Sequence, residues 1–159
     1  MNSFETIGGY LSLELPASKA GYHADCLKLN TARNSLEYLI LAKQYKKLFL
    51  PIYSCDAILE PLNKLGITYE FYHLNDNLEP IAFANLKENE AFLYINYFGI
   101  KYEAARHLAH HIKNLIIDNS QAFYAPHDNI DSFYSARKFF GVPDGAFLLL
   151  RTSARRSRG

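Results

Sequence analysis

Tryptophan is absent from the chain, cysteine occurs only twice, and neither sign of charge dominates. The two thiols, Cys26 and Cys55, stand alone, without the spacing of a metal site or a disulfide framework, which points to a reduced, cytoplasmic protein. The formal net charge of +1 gives no electrostatic case for nucleic acid or an anionic membrane as partner. No apolar run approaches the roughly 20 residues needed to cross a bilayer. The opening MNSFETIGGYLSLELP lacks the basic start and long apolar stretch of a secretory signal. Neither the G-x-G-x-x-G dinucleotide fingerprint nor the G-x-x-x-x-G-K-[ST] phosphate loop occurs.

What the chain does have is apolar bulk. Hydrophobic residues make up 49% of the 159, against 21% charged, enough for the core of one domain. Twelve tyrosines and eleven phenylalanines are far more than a ligand needs, so most are expected in the core. Residues 1–29 carry turn signals at Gly8-Gly9, Pro16 and Gly21 and read as an irregular arm with at most one short strand.

Helices and apolar strands then alternate. Residues 31–45 have Leu36, Leu39, Ile40 and Lys43 at helical spacing, with Asn30 or Thr31 as cap. KKLFLPIY (46–53) reads as a strand. SCDAILEPLNKLG (54–66) reads as a helix, with Ser54 as a cap, Gly66 as a stop, and a kink or late start forced by Pro61. Strands are expected at 67–74, 91–97, 115–118, 132–134 and 146–151, and a helix at 101–114 with Ala105, Leu108 and Ile112 inward. Residues 75–90 read as a polar loop with room for one helical turn. This order predicts an α/β fold, a three-layer α/β/α sandwich around a mostly parallel sheet. In such sheets ligands sit at the carboxyl ends of the strands. RTSARRSRG (151–159) is basic and patternless and reads as a disordered tail beyond a domain spanning 1–150.

Several residues carry chemistry only in combination. Asp118 closes an apolar strand, as a turn residue does, or as a carboxylate held for a cationic ring nitrogen. Gln121 follows three residues on, within reach of the same ligand. Lys138 lies twenty residues past Asp118 beside Arg137, Phe139 and Phe140, as a surface charge or as a Schiff-base lysine needing a lowered pKa. The helix start TARNS (31–35) is an ordinary cap or a phosphate site. His107 and His111 share a helix face but lack a third ligand and the glutamate of H-E-x-x-H. In sequence order these parts are a phosphate-type helix start, a strand with an aromatic end, a strand-end Asp, a Gln and a lysine. Pyridoxal 5'-phosphate (PLP) requires such parts: a helix N-terminus for the phosphate, a stacking group for the ring, an acid for the pyridinium and an amine for the aldehyde.

The chain resembles the DegT/DnrJ/EryC1/StrS sugar aminotransferases of the aspartate-aminotransferase fold (fold type I). IGGYLSLEL (7–15) is similar to the family's N-terminal arm. LNTARNSLEYLIL (29–41) is similar to its S-G-T-x-A-L phosphate helix, and LFLPIYSCDAI (48–58) to its V-P-x-y-T-F turn. IIDNSQAFYA (116–125) resembles E-D-A-A-Q-A-x-G-A, and SFYSARKFFGVPDGAFLL (132–149) resembles S-F-x-x-x-K-x-x-x-x-G-D-G-G. The family's Gly-Thr at the phosphate helix is Ala32-Arg33 here, and its final Gly is Ala146.

The resemblance implies that Lys138 bonds the cofactor aldehyde, that Asp118 keeps the pyridinium protonated, and that Gln121 lies near the phenolic oxygen. It implies Ala32, Arg33 and Asn34 at the phosphate with Ser132 or Ser135, and Tyr53 or Cys55 over the ring. It implies nucleotide-linked keto-sugar and amino-acid substrates, a homodimer, and a role in surface-polysaccharide synthesis. Family members continue well past the lysine segment, so the chain is expected to be a partial PLP-binding large domain, truncated or one half of a split protein. A catalytically inactive relative or partner subunit is the alternative, and a small Rossmann-like nucleotide-binding domain, without its glycine fingerprint, is a more distant one.

Overall fold

The computed structural model describes residues 21–151, apart from residue 84. The arm 7–15 and the tail from 152 onward lie outside the described residues. In chain order the elements are β1 (Leu27–Leu29), α1 (Ala32–Lys43), β2 (Lys47–Pro51), α2 (Leu59–Leu65), β3 (Thr68–Tyr72), β4 (Glu90–Ile95), α3 (Tyr102–His111), β5 (Leu115–Asn119), β6 (Asp131–Ser135) and β7 (Ala146–Leu149). Each long helix and strand falls where the hydrophobic pattern predicts it.

The seven strands form one sheet in the order β1-β7-β6-β5-β4-β2-β3. All pairs among β3, β2, β4, β5 and β6 are parallel; β7 alone runs against its neighbours β6 and β1. Every residue of β4 and of β6 is buried. Strands covered on both faces require a layer on each side of the sheet, as in an α/β/α sandwich. From β2 the chain steps outward to β3, then returns past β2 to lay down β4, β5 and β6. That reversal makes the crevice between the carboxyl ends of β2 and β4 a topological switch point.

Local chemistry sets the boundaries. Thr31 is the cap of α1, its hydroxyl accepting from the Asn34 N–H at 3.2 Å, while Leu36, Leu39 and Ile40 turn into the core. Pro61 is accommodated by a late start: a 3₁₀ turn over Asp56–Ile58 leads into α2, and the proline falls in its first turn, where no intrahelical donor is lost. Ser54 does not cap this helix; Cys55 takes the preceding position and its side chain makes no capping bond. Gly66 ends α2 in the left-handed conformation. The loop after β3 has no helical turn among its described residues, because the Asn75 carboxamide accepts from Asn77 and Glu79 N–H and closes an Asx turn instead. β4 stops at Ile95, two residues short of the predicted end, where Tyr97–Gly99 form a 3₁₀ turn.

Removing the Thr31 hydroxyl leaves an N–H of the first α1 turn without its acceptor. Thr31→Ala is expected to cost about 1 kcal/mol in urea unfolding, and Thr31→Ser to restore most of it.

Candidate active site

Three parallel neighbours end at one level. Ile95 of β4 pairs with Asp118 of β5, and Asp118 pairs with Phe133 of β6. These residues form the floor of a cavity of about 610 Å³ at the carboxyl edge of the sheet. Its walls come from the start of α1 (Thr31, Ala32, Arg33), the turn after β2 (Tyr53, Ser54, Cys55), the turn after β4 (Tyr97, Phe98), and the segments carrying Ser120, Gln121, Ser135, Arg137 and Lys138. The lysine in question therefore faces the same cavity as the strand-end aspartate, twenty residues away in sequence.

Asp118 is half-buried on the cavity floor. Burial pushes its carboxyl above the ordinary carboxylate range, against the Ser120 hydroxyl and N–H and the Lys138 ammonium, which favour the charged form. The Ser120 N–H donates to Asp118 Oδ1 at 2.7 Å and fixes one oxygen. Gln121 is fixed as well: its Oε1 accepts the Phe98 N–H at 2.8 Å, which leaves the amide NH₂ as its donor. Phe98 holds a left-handed φ of 55°, and Gly99 follows at 73°. A side chain at Gly99 would meet the Gln121 carbonyl oxygen at 3.1 Å, so the turns after β4 and β5 pack too closely for anything larger.

The lysine segment is anchored from two sides. Lys138 ends a 3₁₀ turn over Ala136–Lys138 that follows β6 directly. The Ala136 N–H donates to the Gly145 carbonyl at 2.8 Å, and the Gly145 N–H donates to the Asn30 carbonyl at 2.7 Å, just ahead of α1. Gly145 has φ of 123°, and a Cβ there would meet Ala136 Cβ at 3.1 Å. The G-x-P-D-G turn thus joins the lysine to the start of α1.

At the α1 end, Ala32 and Arg33 open the helix, where N–H groups have no intrahelical acceptor. The Arg33 guanidinium is bonded to Glu60 of α2. On the opposite wall Tyr53 stacks on Tyr97, with centroids 5.7 Å apart and planes 20° from parallel, and the Tyr97 hydroxyl donates to the Tyr53 carbonyl at 2.7 Å. Burial, with Tyr94, Asp118 and Tyr53 nearby, pushes the Tyr97 phenol upward, which keeps that donor protonated.

Lys138, Asp118, Gln121, Ala32, Arg33, Tyr53, Cys55 and Ser135 all line the cavity. Two candidates do not. Asn34 lies on the exposed side of α1; its N–H is taken by Thr31, and its amide donates to Asn30 Oδ1 at 2.6 Å. Ser132 is fully buried and, by strand alternation, lies on the other face of the sheet from Phe133 and Ser135. Sequence reasoning missed Tyr97, Phe98 and Ser120. The signal available was Gly99 after a strand of uninterrupted burial, marking a turn at the ligand end. Among the described residues no group of three or more His, Cys, Asp or Glu could hold a metal, and no helix is long and apolar enough to cross a membrane.

The fold is that of solved aminotransferases. The sugar aminotransferase CalS13 from Micromonospora echinospora superposes with a TM-score of 0.61 at 12% identity, over 82% of this chain and 42% of that one. NtdA from Bacillus subtilis, solved with its cofactor PMP, gives a TM-score of 0.64 at 13% identity, over 80% and 33%. Helicobacter pylori PseC, an aminotransferase of pseudoaminic acid biosynthesis, gives 0.57 at 16% identity, over 80% and 40%. The chain thus spans well under half the length of these structures. No family model matches the sequence, and no curated protein does.

Asp118 contributes to stability through its raised pKa. The folded protein holds this proton more tightly than the unfolded chain, so the contribution is present below about pH 4, the ordinary carboxylate value, and is lost as pH rises through the folded pKa. In ligand-free protein Asp118→Asn, which keeps an acceptor for Ser120, should be more stable than wild type at neutral pH. Urea unfolding at pH 4 and at pH 7 checks this: the gain should shrink toward the acid end.

Proposed function

We propose that this chain is the PLP-binding portion of an aminotransferase-like protein of the DegT/DnrJ/EryC1/StrS type, serving nucleotide-linked keto-sugars and an amino-acid donor. The observation that carries the reading is the meeting of Asp118, Gln121 and Lys138 in one cavity at the carboxyl edge of the sheet. The donor set fits the cofactor chemically. A buried carboxylate calls for a cation such as a pyridinium N–H, and the Gln121 NH₂ is a donor for a phenolate oxygen. The Ala32 and Arg33 N–H groups, with Ser135, are donors for a phosphate. PLP, when bound, supplies an electron sink for removing a proton from the carbon that bears the amino group.

The chain's own groups do the rest. The Lys138 amine would hold the cofactor's aldehyde end and would be the base that takes a proton from the substrate carbon and returns it. Asp118 holds the proton on the ring nitrogen. Tyr53, backed by Tyr97, and Cys55 lie where they can cover a flat ligand and exclude water. Phe98 of the cavity lining is exposed, as are Tyr124, Phe139 and Phe140, which follow the lining residues Gln121 and Lys138 closely in sequence, a surface suited to a second copy of the chain. The free thiols Cys26 and Cys55 fit a reducing, cytoplasmic setting.

A second reading is cofactor binding without turnover, as an inactive relative or a partner of a complete enzyme.

Purified protein mixed with PLP should show an absorbance band at the edge of the visible that borohydride traps, and Lys138→Ala should abolish both band and trapping. Asp118→Asn should keep the trapping and weaken binding. No band in well-folded protein would refute cofactor attachment. A trapped band without transfer from any amino acid would favour the second reading.

A further inference from the structure

Among the described residues that line the cavity the charges are unequal: Arg33, Arg137 and Lys138 against the one carboxylate of Asp118. One of these cations is already engaged by an anion that is not a lining residue. Glu60, in the first turn of α2, bonds the Arg33 guanidinium at the start of α1. We infer that Glu60 and the phosphate of an incoming ligand compete for Arg33, so that the pair is an exchangeable latch at the cavity wall.

The pair is built to open at little cost. The Glu60 side chain is 63% exposed and that of Arg33 42%, and an ion pair so wet contributes little. Nor do the helices need it to stay together. The buried side chains Leu36, Leu39 and Leu62 belong to one core cluster, and Lys64 of α2 bonds Glu37 of α1 at 2.7 Å as a second cross-link. A phosphate monoester offers Arg33 two acceptor oxygens for its fork of donors, and the first N–H groups of α1 lie beside it. Glu60 meets the guanidinium through one oxygen, Oε2, and carries one negative charge against nearly two on a phosphate monoester. The ligand class is therefore a phosphate monoester, with Arg33 discriminating it from the dephosphorylated compound. In naming PLP as that monoester the inference rests on the cofactor reading above; the exchange itself does not.

Dissociation constants for PLP and for pyridoxal, which lacks the phosphate, would be measured on wild type, Glu60→Gln, Arg33→Gln and Lys64→Gln. Removing the competitor should tighten PLP binding by up to about five-fold and leave pyridoxal unchanged. Arg33→Gln should bring PLP close to pyridoxal, and Lys64→Gln should change neither. Equal or weaker PLP binding by Glu60→Gln, with pyridoxal still bound, would make the pair a mere brace and overturn the inference while the cofactor reading stood. If neither compound binds any variant, the cofactor reading fails, and phosphorus NMR titration with inorganic phosphate decides the latch: tighter binding by Glu60→Gln supports it, and no difference overturns it.

Discussion

The site depends on register. In a parallel sheet, shifting one strand by a single residue sends each of its side chains to the opposite face. The pairing of Ile95 with Asp118 and of Asp118 with Phe133 puts one apolar residue on each side of the carboxylate, at the level where the strands end. Asp118 is thereby held among apolar neighbours at the edge of the layer, near enough to solvent to meet a ligand and dry enough to favour a proton. The opposite face is pinned by Asn96 Nδ2, which donates to Asn119 Oδ1 at 3.0 Å between the ends of β4 and β5. The Asn96 Oδ1 in turn accepts the Lys101 N–H and closes the turn containing Phe98 and Gly99. One register thus places a carboxylate on one face and a polar staple on the other.

The second constraint is close approach of backbone. Gly99 and Gly145 both have positive φ, and a Cβ at either would crowd a neighbour, the Gln121 carbonyl in one case and Ala136 in the other. At the first, the turns after β4 and β5 interlock and orient Gln121. At the second, the lysine segment is tied to the start of α1 through the Asn30 carbonyl. Lys138 sits on a 3₁₀ turn whose first residue, Ala136, is tied to Gly145, unlike a lysine on a free loop. This cross-linked backbone lies at the cavity, and there Phe98, a residue with a side chain, also holds the left-handed conformation.

Much of this was legible in the sequence. Alternation of apolar runs with 3.6-residue periodicity located the helices and strands, because burial on one stripe or both faces leaves a plain mark. Asp118, Gln121 and Lys138 were legible as a spacing. What was not legible was parity and cross-chain contact. Ser132 and Ser135 read alike as serines before a lysine, and only the strand's facing separates them. Asn34 reads as a helix-start residue, yet Thr31 has claimed its N–H and Asn30 its side chain. The pairing of β1 with β7 joins residues more than a hundred positions apart and left no local signal. Tyr97 and Phe98 were hidden because an aromatic at a strand end looks like core until the turn that sets it at the cavity is known.

The arrangement of charge narrows what the cavity can hold. Its floor carries an acid whose ionised form is penalised by burial, and its walls carry Arg33, Arg137 and Lys138. An anion alone would satisfy the walls and leave the acid on the floor without a partner. A cation alone would satisfy the floor and meet Arg137 and Lys138 on entry. A flat ligand with a protonated nitrogen at one end and an anionic group at the other answers both, and each end strengthens the other's site: the pyridinium-type cation draws the proton balance of Asp118 toward the carboxylate, while the anion offsets the cations of the wall. On the proposed exchange, a ligand bearing both charges has an advantage over Glu60 as the partner of Arg33. Glu60 neutralises one wall charge from outside the cavity and gives the floor nothing, whereas a ligand bearing both charges compensates wall and floor together.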